Sequence, residues 1–127
     1  MQARTRGYVE TMLGRRRPIP DIDSRNPSRR ALAERLSINS VVQGSAADLI
    51  KIAMVDLSRR FAQGQGGLPA GAVRMLLQIH DELVFEVPEP LVPAAAALIT
   101  QRMEQAMTLR VPLKADAHDA SNWYEGK

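Results

Sequence analysis

The 127-residue chain contains no cysteine, which excludes a disulfide framework and any thiolate metal site. Aromatic residues make up only 4% of it, so a core has to be built from aliphatic side chains and methionine. The two histidines, His80 and His118, stand too far apart for a His-Glu-x-x-His zinc site. No apolar run approaches the ~20 residues of a membrane span. The opening residues, MQARTRGYVE, lack the apolar segment of a secretory leader. A Gly-rich phosphate loop ending in Gly-Lys-Ser/Thr is missing, and no Ser, His and Asp set stands out as a hydrolytic triad. The expectation is a soluble cytoplasmic protein with no membrane partner.

What is present is a hydrophobic content of 45%, enough for one core, and a net charge of +3 that is unevenly spread. Residues 1–35 carry nine arginines against four acids, Glu10, Asp21, Asp23 and Glu34. The remainder is slightly acidic. Every basic residue in the first part is Arg, whose planar fork suits phosphate better than the ammonium of Lys does. Charge alone leaves a solvated basic surface and a nucleic-acid contact both open.

GYVETMLGRRRPIP (7–20) reads as two short strands about a turn at Gly14. Asn26 followed by Pro27 reads as an N-cap with Pro in the first helical turn. A helix is expected over 28–38, with Ala31, Leu32, Leu36 and Ile38 as its apolar members. The β-branched Val41 and Val42 and the permissive Gly44 suggest a break or bend. Helical spacing returns from Ala46 to Phe61, through Leu49, Ile50, Ala53, Met54 and Leu57. The Gly-rich stretch 62–71 is a loop. AVRMLLQI (72–79) reads as a buried strand and LVFEV (83–87) as a second. A helix over about 91–108 offers Leu91, Ala95, Leu98, Met103 and Met107 to a core, and 111–119 reads as a last strand. This order argues for an α+β fold.

Between the two later strands stand His80, Asp81 and Glu82, polar residues inside an apolar run. As a retention address HDEL would have to be C-terminal, and here it is internal. Two readings stay open on spacing alone. One is a solvated hairpin turn. The other is a carboxylate pair, Asp81 and Glu82, holding Mg²⁺, an ion that takes one or two carboxylates and keeps several waters. In a continuous strand His80 and Glu82 would face one side and Asp81 the other, so a shared site needs a turn there.

The segment QIHDELVFEV resembles motif C of the family A DNA polymerases. GYVETMLGRRRPIPDIDSRN resembles the family's segment after the nucleotide-binding helix of the fingers. RLSINSVVQGSAADLIKIAM resembles the palm helix that touches the primer–template minor groove, and VPLKADAHDASNW the terminal palm strand. The resemblance covers nearly all 127 residues with the motifs in order. It implies an antiparallel palm-type sheet with packed helices, residues 1–127 being the C-terminal part of a larger polymerase domain, the end of the fingers and the palm.

The resemblance further implies that Asp81 holds Mg²⁺ at the primer 3′ end, with Glu82 at the same site and His80 touching the primer strand. Arg35, Asn39 and Gln43 match minor-groove contacts. Their i, i+4, i+8 spacing steps about 6 Å along an unbroken helix. Donors in the minor groove meet acceptors common to all base pairs and therefore read pairing, not sequence. Arg15, Arg16 and Arg17 could approach DNA phosphates. Asp48 is expected to be a helix-surface acid rather than a third metal ligand, and His118 structural or exposed. The family's motif A Asp and its nucleotide-gripping residues lie before this stretch. The implied function is template-directed DNA synthesis from deoxynucleoside triphosphates, with the segment inactive alone and able to associate with itself. The rivals are a non-catalytic nucleic-acid-binding module on the same scaffold and an unrelated α+β interaction domain with an acidic hairpin.

Overall fold

Asn26 starts the main helix in the manner its sequence suggests. Its side-chain oxygen accepts the backbone N–H groups of Ser28 and Arg29 at 3.0 and 3.4 Å, satisfying two of the donors that a helix start leaves free. The helix, α2, then runs without interruption from Pro27 to Gln63 in this computed structural model, which describes residues 2–126. The expected break near Val41 and Gly44 does not occur. Val41 instead packs against a buried cluster of Ala3, Val9, Ile19, Ile22 and Ala33, and tertiary packing outweighs propensity costs of about 1 kcal/mol for the glycine and several tenths for each valine. The buried stripe also differs from expectation. Ala33, Ser37 and Asp48 are buried, whereas Leu32, Leu36 and Ile38 are exposed.

The chain forms two compact units, divided between Leu49 and Ile50 within α2. In the first, a short helix α1 (Gln2–Arg6) leads into β1 (Tyr8–Glu10), which pairs antiparallel with β2 (Arg16–Pro18). Gly14, with φ of +83°, makes the turn. These are the two strands the sequence suggests. The hairpin contributes only Val9 to the cluster, beside Ile19 just after it.

In the second unit, β3 (Arg74–Ile79) and β4 (Glu82–Glu86) form another antiparallel hairpin, followed by a 3-10 turn and α3 (Val92–Glu104). Its core is Leu57 and Phe61 of α2 with Leu68, Val73 and Ala95, flanked by Met75, Leu83, Phe85, Leu91, Leu98 and Met103. Phe61 meets Phe85 edge to face, centroids 5.8 Å apart, a favoured aromatic geometry. Asp56 ties α2 to α3 by accepting from Arg60 at 3.0 Å and Arg102 at 2.6 Å.

Two expectations for this unit change. The strand at 74–79 is not buried throughout, because Leu76 and Leu77 are exposed. An antiparallel pair needs only one covered face, and a bulge between Met75 and Leu77 interrupts the alternation. The strand expected at 111–119 is absent among the described residues. Pro112 has no N–H to give a ladder, and the Ala115 N–H donates to the Glu104 carboxylate at 3.0 Å instead. No helix among the described residues is long and apolar enough to cross a membrane.

Candidate nucleic-acid interface and carboxylate hairpin

The first unit brings three arginines of its hairpin up against one helix face. Thr11, Arg15, Arg16 and Arg17 from the β1–β2 hairpin line a pocket of about 180 Å³ with Ser40, Gln43 and Gly44 from α2. The close approach depends on Gly44. A Cβ there would come within 2.5 Å of the Thr11 methyl, so the glycine admits the hairpin where the sequence suggested a helix break. Ser45 fastens the same spot by accepting the Met12 N–H at 3.0 Å.

The three arginines are not equivalent. Arg15 lies 3.5 Å from Asp48. Arg16 pairs with Glu10 at 2.9 Å and stacks over the Tyr8 ring at 4.7 Å. The Arg17 guanidinium has no hydrogen-bond or ion-pair partner among the described residues, although its backbone pairs with Val9 in the ladder. The Ser40 hydroxyl is buried without a hydrogen-bond partner among the described residues. Gln43, Asn39 and Arg35 are all exposed, and with the helix unbroken their i, i+4, i+8 series keeps one slowly drifting face.

Asp48 corrects its reading as a surface acid. It is 3% exposed and accepts the Thr11 hydroxyl at 2.5 Å. The helical register could have placed it. Ala33, Ser37, Val41, Gly44 and Asp48 fall at steps of three and four, which is one stripe once the helix is taken as continuous. Thr11, Ser40, Gly44 and Ser45 were missed for the same reason.

In the second unit, His80 and Asp81 form a two-residue turn, since Ile79 pairs with Glu82. His80 carries φ of +53°, the one positive value outside glycine among the described residues. A positive φ at the first of two central positions follows the type II′ pattern, in which glycine is usual. Gln78, also missed from sequence, braces the turn by donating from Nε2 to the His80 carbonyl at 2.6 Å. The turn ends the strand alternation, so the two carboxylates need not face opposite sides.

Asp81 and Glu82 are exposed, and among the described residues neither carboxylate has a partner. Among the described residues no group of three or more His, Asp or Glu gathers there. Two adjacent open carboxylates nevertheless fit Mg²⁺, which completes its shell with water and substrate phosphates. His118 is exposed, as expected.

A basic hairpin seated on a donor-bearing helix, and a second hairpin tipped with free carboxylates, give this α+β protein the side chains of nucleic-acid chemistry. The chain belongs to DNA polymerase family A, whose model matches residues 1–125. It is 50% identical over 126 residues to DNA polymerase I of Bacillus caldotenax and 51% identical over the same length to thermostable DNA polymerase I of Thermus filiformis. Each comparison takes in 99% of this chain and 14% of the relative, so the chain spans about one-seventh of those proteins' length. It also resembles the solved POL domain of Pol1 from M. smegmatis in complex with DNA primer-template and dNTP, at 45% identity and a TM-score of 0.78, over 89% of this chain and 19% of that one.

Proposed function

We propose that this chain supplies part of the catalytic and DNA-holding surface of a DNA-directed DNA polymerase, as the end of the fingers and the palm. The observation that carries the reading is the β3–β4 tip: two unpartnered carboxylates on a braced turn, in a chain of this family. The structural relative bound to DNA primer-template and dNTP supports primer–template DNA and deoxynucleoside triphosphates as partners.

Asp81 and Glu82 would hold Mg²⁺. When bound, the ion stabilises charge on the attacking and leaving oxygens of phosphoryl transfer. The hairpin's task is to place carboxylate oxygens. Its apolar core and the Gln78 brace fix the turn, which limits the ordering left to do when substrate arrives. His80, at the same turn, touches the primer strand in this reading. Arg35, Asn39 and Gln43 act as minor-groove donors. Arg17, the unpartnered arginine of its hairpin, reaches a phosphate, with Arg15 and Arg16 beside it. The exposed Leu32, Ile38 and Val42 support self-association of the chain in isolation, and sedimentation velocity measures it.

The test compares Asp81→Ala with its parent in the polymerase that carries this segment, by single-turnover nucleotide addition and by equilibrium DNA binding. The chemical step falls by roughly a hundredfold or more, the scale of one lost electrostatic contact to a transition state. Affinity for primer–template is kept or raised. Near-normal chemistry in that variant would reduce the triplet at 80–82 to a polar turn.

A further inference from the structure

Asp48 is a buried carboxylate to which the proposed chemistry gives no part. Its side chain is 4% exposed, deep in the run of α2. A carboxylate there is costly unless partners compensate it. Both partners come from one place, the turn of the β1–β2 hairpin. The Thr11 hydroxyl donates to Asp48 Oδ2, and Arg15 Nη2 lies 3.5 Å from Oδ1. Thr11 Oγ1 in turn accepts the Arg15 backbone N–H at 3.2 Å. A polar chain therefore runs from the helix interior, through one hydroxyl, to the backbone that leads into Arg16 and Arg17.

We propose that Asp48 is a positioning residue for the DNA-facing pocket. Through Thr11 and Arg15 it holds the arginine hairpin at the level of α2 where the arginines share a pocket with Ser40 and Gln43. The inference rests on reading that pocket as a DNA contact. It makes a prediction opposite in sign to simple charge. Removing an acid near a polyanion raises affinity if the acid acts only through its field. Removing one that positions the cations lowers it.

The experiment is fluorescence anisotropy of the polymerase that carries this segment on a primer–template duplex across a salt series. The variants are Asp48→Asn, Thr11→Val, Thr11→Ser, Arg17→Ala and the pair Asp48→Asn with Arg17→Ala. Asp48→Asn and Thr11→Val each weaken binding by about tenfold, the scale of one lost charge-assisted contact. Each also flattens the dependence of log affinity on log salt by about 0.9, one phosphate contact's worth. Thr11→Ser, which keeps the hydroxyl, binds as the parent does. The paired variant is little worse than Arg17→Ala alone, because Asp48 acts through the arginine row.

If Arg17→Ala weakens binding while Asp48→Asn leaves it unchanged or tighter, the positioning role is overturned and the DNA reading stands. If Arg17→Ala also changes neither affinity nor salt slope, the pocket is no DNA contact and both fall. Should Asp48→Asn fail to fold, the Thr11 pair decides. Weak binding by Val beside normal binding by Ser supports the role, and equal binding overturns it.

Discussion

The two hairpins of this chain solve one problem in opposite ways. The β1–β2 hairpin has three-residue strands and puts a single strand residue, Val9, into the nearby core. It is held by side-chain chemistry: Thr11 and Arg15 on Asp48, Met12 on Ser45, and a gap at Gly44. The β3–β4 hairpin has strands of six and five residues and rests on packed Leu57, Phe61, Leu68 and Val73. Apolar burial carries its weight, and the polar groups at its tip stay uncommitted. The contrast shows where free functional groups can be found. A hairpin anchored by its base can leave its tip open, whereas one anchored by its tip commits those side chains to structure and leaves uncommitted only residues beyond it, here the Arg17 side chain.

The largest expected effect breaks the apolar anchor. Phe61→Ala removes a ring that is 4% exposed and should cost about 3–5 kcal/mol, the range for a buried aromatic truncated to Ala. Chemical denaturation measures it. Hydrogen exchange should show amides of β3 and β4 losing protection before those of β1 and β2.

Next comes the polar anchor. Gly44→Ala puts a methyl where the Thr11 methyl already lies. Thr11 can rotate away only by giving up its bond to Asp48, so overpacking or that loss should cost about 1–3 kcal/mol. Faster exchange of the Met12 amide, with weaker DNA binding, is the outcome to look for. Unchanged exchange would mean that the hairpin is held by its strands after all.

Gln43→Ala takes one neutral donor from the helix face and leaves both anchors alone. About 0.5–1.5 kcal/mol of primer–template affinity should go, equally for templates of different sequence, because minor-groove acceptors are shared by all pairs. Binding assays on several duplexes of one length decide this.

The smallest effect concerns the ion pairs that brace the second hairpin's support. Burial raises the carboxyl of Asp56, but hydrogen bonds and charge from Arg102 and Arg60 outweigh it and hold the group below its ordinary 3.8. A depressed folded value means that the stabilisation is present above that ordinary value and fades as pH falls through the lowered one. Asp56 is 30% exposed, so solvent screening keeps the contribution near the 0.2–1 kcal/mol of exposed pairs. The stability gap between the parent and Asp56→Asn should be visible near neutrality and close in acid. A gap that persists at low pH would assign the effect to packing.

The long-strand hairpin and its carboxylate tip were legible in the sequence, because an apolar run interrupted by three titratable residues has few other meanings. So were the short strands about Gly14 and the cap at Asn26. The polar anchor was not. Val41, Val42 and Gly44 each lower helix propensity, and local propensity is all that a single stretch displays. The hairpin that makes a glycine useful at 44 lies 33 residues earlier. Once the helix was taken as broken, Asp48 lost its register with Ala33 and Ser37 and read as a surface acid. The strand expected at 111–119 failed for a related reason. Alternation shows that a segment can join a sheet, but Pro112 brings no N–H to a ladder and the Ala115 N–H goes to the Glu104 carboxylate instead.

The contact between Gly44 and Thr11 also makes two distant positions one unit of sequence. Space at that point is shared, so a side chain at 44 and a branched residue at 11 exclude each other, while Ser at 11 would free the volume of one methyl and keep the hydroxyl for Asp48. In sequences related to this one, a side chain at 44 should occur only where position 11 has lost its methyl. The order of change is then fixed: Ser at 11 comes first at little cost, and a residue larger than glycine at 44 can follow it.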